Sequence, residues 1–135
     1  MTKILFKLSI RTLSEANCSE HWSKKHKRHK EQQFYVRWAL LNHFKDRKDK
    51  VNLPCTVKMI RMAPRSLDSD NLVSSFKWIR DEISECLFQE KKTFCVLKSG
   101  KIKQIKGRLD SDPRITWLYD QEKSKLYWVR IEIEF

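Results

Sequence analysis

Two short stretches set paired carboxylates at the edge of an apolar segment: Leu67-Asp68-Ser69-Asp70-Asn71-Leu72 and Leu109-Asp110-Ser111-Asp112-Pro113-Arg114-Ile115. Like charges this close repel one another unless a cation sits among them. In a basic chain such gathering points to a divalent ion. Mg²⁺ suits the pattern, being held by one or two carboxylates together with waters and a phosphate oxygen. The structural alternative needs no metal: a helix N-cap at Asp70 and an ordinary turn near Asp112.

Other chemistry is poorly supplied. His21, His26 and His29 lie among lysines that would repel zinc, and no cysteine is spaced to join them. No serine or cysteine stands in a recognisable nucleophile turn. Cys18, Cys55, Cys86 and Cys95 form no Cys-x-x-Cys pair and read as reduced thiols, with Cys55 and Cys86 as small core residues.

Charge narrows the partners. Lysine and arginine total 29 against 17 acidic residues in 135, a formal charge of +12. That excess favours a polyanion, with nucleic acid ahead of an anionic membrane surface. No apolar run approaches the roughly 18 residues of a membrane-spanning helix. The opening Met1-Thr2-Lys3-Ile4-Leu5-Phe6 turns polar too soon for a signal-peptide core, so a cytoplasmic location is expected. The length suits one domain, residues 1–135, with one modest core.

The elements that must position the aspartates follow from periodicity. Ile4, Phe6, Leu8 and Ile10 alternate along a half-buried strand, and residues 12–20 carry the loop and cap types Ser14, Asn17 and Ser19. A long helical pattern then runs to about Phe44. Phe34, Trp38 and Leu41, flanked by Leu40 and Phe44, predict the face that packs on the sheet. Its start is different: Lys24-Lys25-His26-Lys27-Arg28-His29-Lys30 is too charged for core and projects into solvent or onto phosphates. After a polar turn at 46–52, residues 53–62 read as a strand, with Pro54 at its first position or on an edge. Leu72, Phe76, Ile79, Ile83 and Leu87 then form the buried stripe of one helix. Residues 93–97 and 102–105 could pair around Ser99-Gly100. Two final strands, 114–119 and 126–135, are joined by a turn at 120–125. The order β-α-β-α-(hairpin)-β-β gives an α+β fold, a mixed sheet with helices packed on one face. Asp68 and Asp70 end the second strand while Asp112 begins the next long one. They can meet only if those strands run antiparallel.

Asp68-x-Asp70-Asn71-Leu72, a helix with Lys77 and Asp81, and then Asp112-Pro113-Arg114-Ile115 resemble the RusA family of Holliday junction resolvases, and in particular its phage and prophage branch. Asn17-x-x-x-His21-Trp22 with basic residues behind it, and Trp117-x-Tyr119-x-Gln121, add to the likeness, which spans most of the chain. The resemblance implies a homodimeric endonuclease that nicks four-way DNA junctions symmetrically, using Mg²⁺ with Mn²⁺ as an expected substitute. It implies Asp68, Asp70 and Asp112 as the metal-binding carboxylates, with Asp110 as an extra candidate. It also implies a catalytic lysine three residues after the asparagine, but Ser74 stands there, and Lys77, one helical turn on, is the residue that could take the part.

The chemistry is reasonable without the family. Phosphodiester hydrolysis needs a deprotonated water and a polarised phosphoryl oxygen, which Mg²⁺ on carboxylates supplies. Lys77 could offset charge developing on the phosphate. Lys24, Lys25, Lys27, Arg28, Lys30 and Arg65 would hold the backbone without reading sequence. Two nicks placed by symmetry call for two copies. The tryptophans Trp22, Trp78, Trp117 and Trp128 leave apolar surface for an interface, with 88–108 a candidate contact. A non-catalytic basic nucleic-acid-binding module, and a small partner of an acidic protein, are the alternatives. Metal dependence separates the first from the nuclease, and salt dependence of DNA binding separates the second.

Overall fold

The computed structural model describes residues 2–14, 19–45, 51–87, 93–96, 98–105 and 109–135. Asn17, Cys18, Phe88 and most of the polar turn at 46–52 lie outside them, as do the side chains of the expected hairpin. The elements are β1 (Lys3–Leu8), α1 (Trp22–Lys45), β2 (Cys55–Ala63), α2 (Ser69–Ser75), α3 (Lys77–Leu87), β3 (Thr93–Val96), β4 (Ile102–Ile105), a 3-10 turn at Leu109–Ser111, β5 (Ile115–Lys123) and β6 (Trp128–Glu134). The expected α+β order is present. β1, β6, β2 and β5 form one mixed sheet in that spatial order, and β3 pairs with β4 in a separate antiparallel hairpin. Gly100 turns this hairpin at a φ of 80°, a left-handed backbone that glycine adopts at no steric cost.

Alternation builds the core. Ile4 faces Ile133, Phe6 faces Ile131 and Leu8 faces Val129 across β1 and β6, while Val57 and Met59 of β2 meet Ile133 and Ile131 from the other side. These apolar rows, joined by Cys55 and Ile115, pack under Val36 and Leu40 of α1 and under Leu72, Phe76, Ile79 and Ile83 of the following helices. The opposite face of the sheet carries charge, with ion pairs Lys3–Glu132 at 3.7 Å, Lys58–Asp120 at 3.6 Å and Arg130–Glu122 at 2.9 Å. Period-two sequence thus yields one apolar face under the helices and one largely charged face, on which Ile60, 1% exposed, is the exception.

Three expectations are corrected. The single helix over 70–87 is two, broken at Phe76 (φ −98°, ψ 0°). The hydroxyls of Ser74 and Ser75 donate to the carbonyls of Asn71 and Leu72, three residues back, competing with the helical ladder where it fails. Arg80 N–H then bonds Phe76 C=O at 2.8 Å and the helix resumes, so Leu72, Phe76, Ile79 and Ile83 stay on one buried stripe.

The second correction is in α1. Its inward residues are Gln32, Val36 and Leu40, not Phe34, Trp38 and Leu41, which are 66%, 60% and 51% exposed. Charged and aromatic side chains are spread around the whole helix, so the apolar count does not say which side the rest of the chain covers. Packing against α3 decides it: His29 stacks on Trp78 with ring centroids 4.2 Å apart, and Arg37 pairs with the buried Glu82 and with Glu85. That pairing holds the Arg37 guanidinium's pKa above its ordinary value, chiefly through the Glu82 hydrogen bond.

Third, β2 and β5 run parallel, pairing Cys55 with Ile115 through Ala63 with Lys123. The chain needs α2 and α3 to return it to the start of β5, the crossover that parallel neighbours require. The antiparallel arrangement that would bring Asp112 to Asp68 and Asp70 is therefore absent.

Candidate active site and nucleic-acid interface

Asp68 is the N-cap of α2, not Asp70. Its carboxylate accepts the Asn71 N–H at 3.1 Å, satisfying one of the donors that every helix start leaves open. Asp70 sits in the first turn, exposed, with no hydrogen bond or ion pair among the described residues. Asn71 takes a hydrogen bond from the Ser14 hydroxyl through its side-chain oxygen, tying the segment after β1 to α2. The loop leading in is fixed as firmly. Gln121 of β5 accepts Leu67 N–H at 2.9 Å and donates to Leu67 C=O at 2.7 Å. Arg61, nearly buried, donates to Thr12 at 3.2 Å and to the Arg65 carbonyl at 2.7 Å, leaving the Arg65 side chain exposed. Desolvation lowers the Arg61 pKa, with Tyr127 opposing the shift and the Arg11 charge adding to it.

Asp112 lies elsewhere. Gln121 is beside Leu67, whereas Asp112 precedes Ile115 at the other end of β5, and six strand residues span about 20 Å. The Asp112 carboxylate accepts the Arg114 backbone N–H at 3.0 Å and its guanidinium at 3.0 and 2.8 Å, a turn closed by its own ion pair. Asp110 belongs to a third arrangement. Arg80 of α3 donates to the Asp110 carbonyl and to the Tyr119 hydroxyl, each at 2.7 Å, lies 4.8 Å over the Trp117 ring, and approaches the Asp110 carboxylate at 3.4 Å. Trp117 donates to the same carbonyl at 2.9 Å. Asp81 faces this group, and burial, then the Asp110 charge, raise its pKa. Lys77 has its ammonium 5.0 Å over the Trp78 ring and lowers the Asp81 pKa, so its interactions lie on this side of the helix break. Among the described residues no three or more His, Cys, Asp or Glu side chains are grouped closely enough to hold one metal ion.

His29 meets Trp78, and eight residues later Arg37 meets Glu82 and Glu85, so α1 and α3 advance in the same direction. The start of α1 therefore lies toward the start of α3. Lys24, Lys25, Lys27 and Lys30 have no partner among the described residues, while Arg28 is held by Glu20 at 2.8 Å. His29 is spent on the Trp78 stack. Cys55 and Cys86 are free thiols whose pKa values burial raises to about 11 and about 12, which leaves them protonated and inert.

Sequence reasoning missed Gln121, Arg80 and the Ser14–Asn71 link. One signal was available: Trp117, Tyr119 and Gln121 alternate along the buried side of β5, and each carries a polar tip that must find a partner under the helices. No helix among the described residues is long and apolar enough to cross a membrane. Compared with known proteins, the chain matches no family model, no curated protein and no solved structure.

Proposed function

We propose that this chain is a divalent-metal-dependent, structure-specific endodeoxyribonuclease that resolves four-way DNA junctions by paired nicks as a homodimer. The observation that supports it most is the Asp68-x-Asp70-Asn71 turn: a loop clamped by Gln121 that presents an exposed carboxylate with no partner among the described residues. Asp68 and Asp70 fit Mg²⁺, which takes one or two carboxylates and leaves its other positions to water and phosphate. Asp68 commits one lone pair to its N-cap bond and keeps others free. When bound, Mg²⁺ supplies a water of lowered pKa and charge stabilisation at the phosphoryl group. Lys24, Lys25, Lys27, Lys30 and Arg65 bind the phosphate backbone, and the clamp on Leu67 keeps the carboxylates at a fixed height beside it. Asp112, closed on Arg114, and Lys77, over Trp78, are left out of this site.

The second reading, a nucleic-acid-binding module without catalysis, is favoured by one observation: Asp68 already has a structural task as a helix cap, and Asp112 as a turn cap. Incubation with labelled four-way junctions and duplexes, with and without Mg²⁺, separates the two. Junction-selective cleavage that requires Mg²⁺ is expected. Tight junction binding with no cleavage in Mg²⁺ or Mn²⁺ would support the module instead.

A further inference from the structure

The outward crest of α1 has no covering element among the described residues. Phe34, Trp38 and Leu41, at i, i+4 and i+7, stand along it more than half exposed, with Tyr35 beside them at 49%. Phe34 and Tyr35 meet edge to face, with ring centroids 6.0 Å apart. Lys30 and Lys27 precede Phe34 on the same crest, one and two turns earlier. Ser23, His26, Lys27, Lys30, Phe34 and Tyr35, with one carboxylate, Glu31, line an open groove of about 710 Å³. Aromatic rings and unpaired ammonium groups thus share one strip of surface.

We infer that this strip binds nucleic acid with unpaired bases, the rings stacking on bases while the lysines hold the phosphates. The inference rests on the nucleic-acid reading above and names the substrate feature it adds. Three observations favour this occupant. The exposed residues are mainly aromatic, and base–aromatic stacking tolerates any sequence because every base has a π-face. Lys27 and Lys30 beside them form no ion pair among the described residues, so they are available to phosphates, whereas Arg28 and Arg37 are already paired. Lys27 to Trp38 spans about 16 Å of helix axis, room for roughly five nucleotides at about 3.4 Å each. A second copy of the chain is the less suitable occupant. A two-fold helix pair covering Phe34, Trp38 and Leu41 would lay Lys27 and Lys30 against another strongly basic helix, at a desolvation cost with no acidic partner.

The test compares a short oligo-dT with an abasic strand of equal length, which keeps the phosphates and lacks the bases. Wild-type protein should bind oligo-dT more tightly and show quenching of tryptophan fluorescence only with it. Phe34→Ala with Trp38→Ala should weaken oligo-dT binding by roughly 10-fold or more, since each stack contributes about fivefold to a hundredfold. Abasic-strand and duplex binding should remain, because phosphate interactions carry both. Equal binding of the two strands by the wild type, or unchanged oligo-dT affinity in the double variant, overturns the inference. So does sedimentation showing a wild-type dimer that the double variant dissociates, which assigns the strip to self-association. If the wild type binds neither junction nor duplex at low salt, the nucleic-acid reading itself fails. If it binds and cuts junctions yet treats oligo-dT and abasic strands alike, only this inference fails.

Discussion

Gln121 brackets the backbone of Leu67, accepting its N–H at 2.9 Å and donating to its carbonyl at 2.7 Å. A β5 side chain thereby does for this loop what a neighbouring strand would do, completing both backbone bonds of one residue. The next residue is Asp68, so the clamp sets where α2 starts. Gln121→Leu leaves both Leu67 groups without their partner and should cost about 1–3 kcal/mol of stability. Urea unfolding measures that cost, and junction cleavage by the folded fraction should fall further than the stability loss explains. An unchanged unfolding midpoint would mean that water replaces the clamp.

Asp70→Asn and Asp112→Asn should behave differently, because the two carboxylates lie at opposite ends of the parallel β2–β5 pair. The first should abolish metal-dependent cleavage and leave junction binding intact or tighter, since removing a negative charge eases phosphate approach. The second should loosen the turn it closes on Arg114, with a small stability loss, and spare cleavage. Equal loss of cleavage in both, with folding preserved, would return Asp112 to the active site.

Changing Lys24, Lys25, Lys27 and Lys30 to Ala should weaken DNA binding irrespective of sequence. The slope of log affinity against log salt should flatten by up to about 0.9 for each phosphate that a lysine no longer neutralises. Arg28→Ala is the internal control: its guanidinium is engaged by Glu20 at 2.8 Å and should alter the slope little. A slope that the four substitutions leave untouched would make the run a solvated helix start.

Asp81 makes stability depend on pH in an unusual direction for a carboxylate. Its pKa is raised above the ordinary 3.8, first by burial and then by Asp110. The folded state then holds the proton more tightly than the unfolded chain, so this group's contribution improves as pH falls through the raised pKa toward 3.8 and worsens as pH rises. Asp81→Asn should therefore be more stable than wild type at neutral pH, with the difference shrinking toward pH 4. Thermal melts of both proteins across that range check it, and a difference that does not vary with pH would contradict it.

Gln32 offers a test independent of function. It is 2% exposed, and neither its amide nitrogen nor its oxygen has a hydrogen-bond partner among the described residues. Replacing it with methionine, of similar length, removes an unmet polar group and should stabilise the protein by on the order of 1 kcal/mol. A loss of stability would show that the amide is satisfied by ordered water.

The strands, their buried faces and the cap-and-turn roles open to the two Asp-x-Asp stretches were determined by local sequence. Period-two alternation leaves a strand only one way to face a core, as Ile4, Phe6 and Leu8 or Val129, Ile131 and Ile133 do. The carboxylates' proximity was not local information. Asp68 and Asp112 are joined through two helices and a hairpin, and the direction of β5 beside β2, which no residue in either stretch encodes, decides whether they meet. Helix α1 shows the same division. Its sequence fixes a helix and its excess of positive charge, but with aromatic residues on one side and Gln32, Val36 and Leu40 on another, two faces competed for burial. Only the fit of His29 to Trp78 and of Arg37 to Glu82 chose between them, because those partners come from a helix some 45 residues away in the chain. The aromatic crest exposed on α1 is a consequence of that tertiary choice.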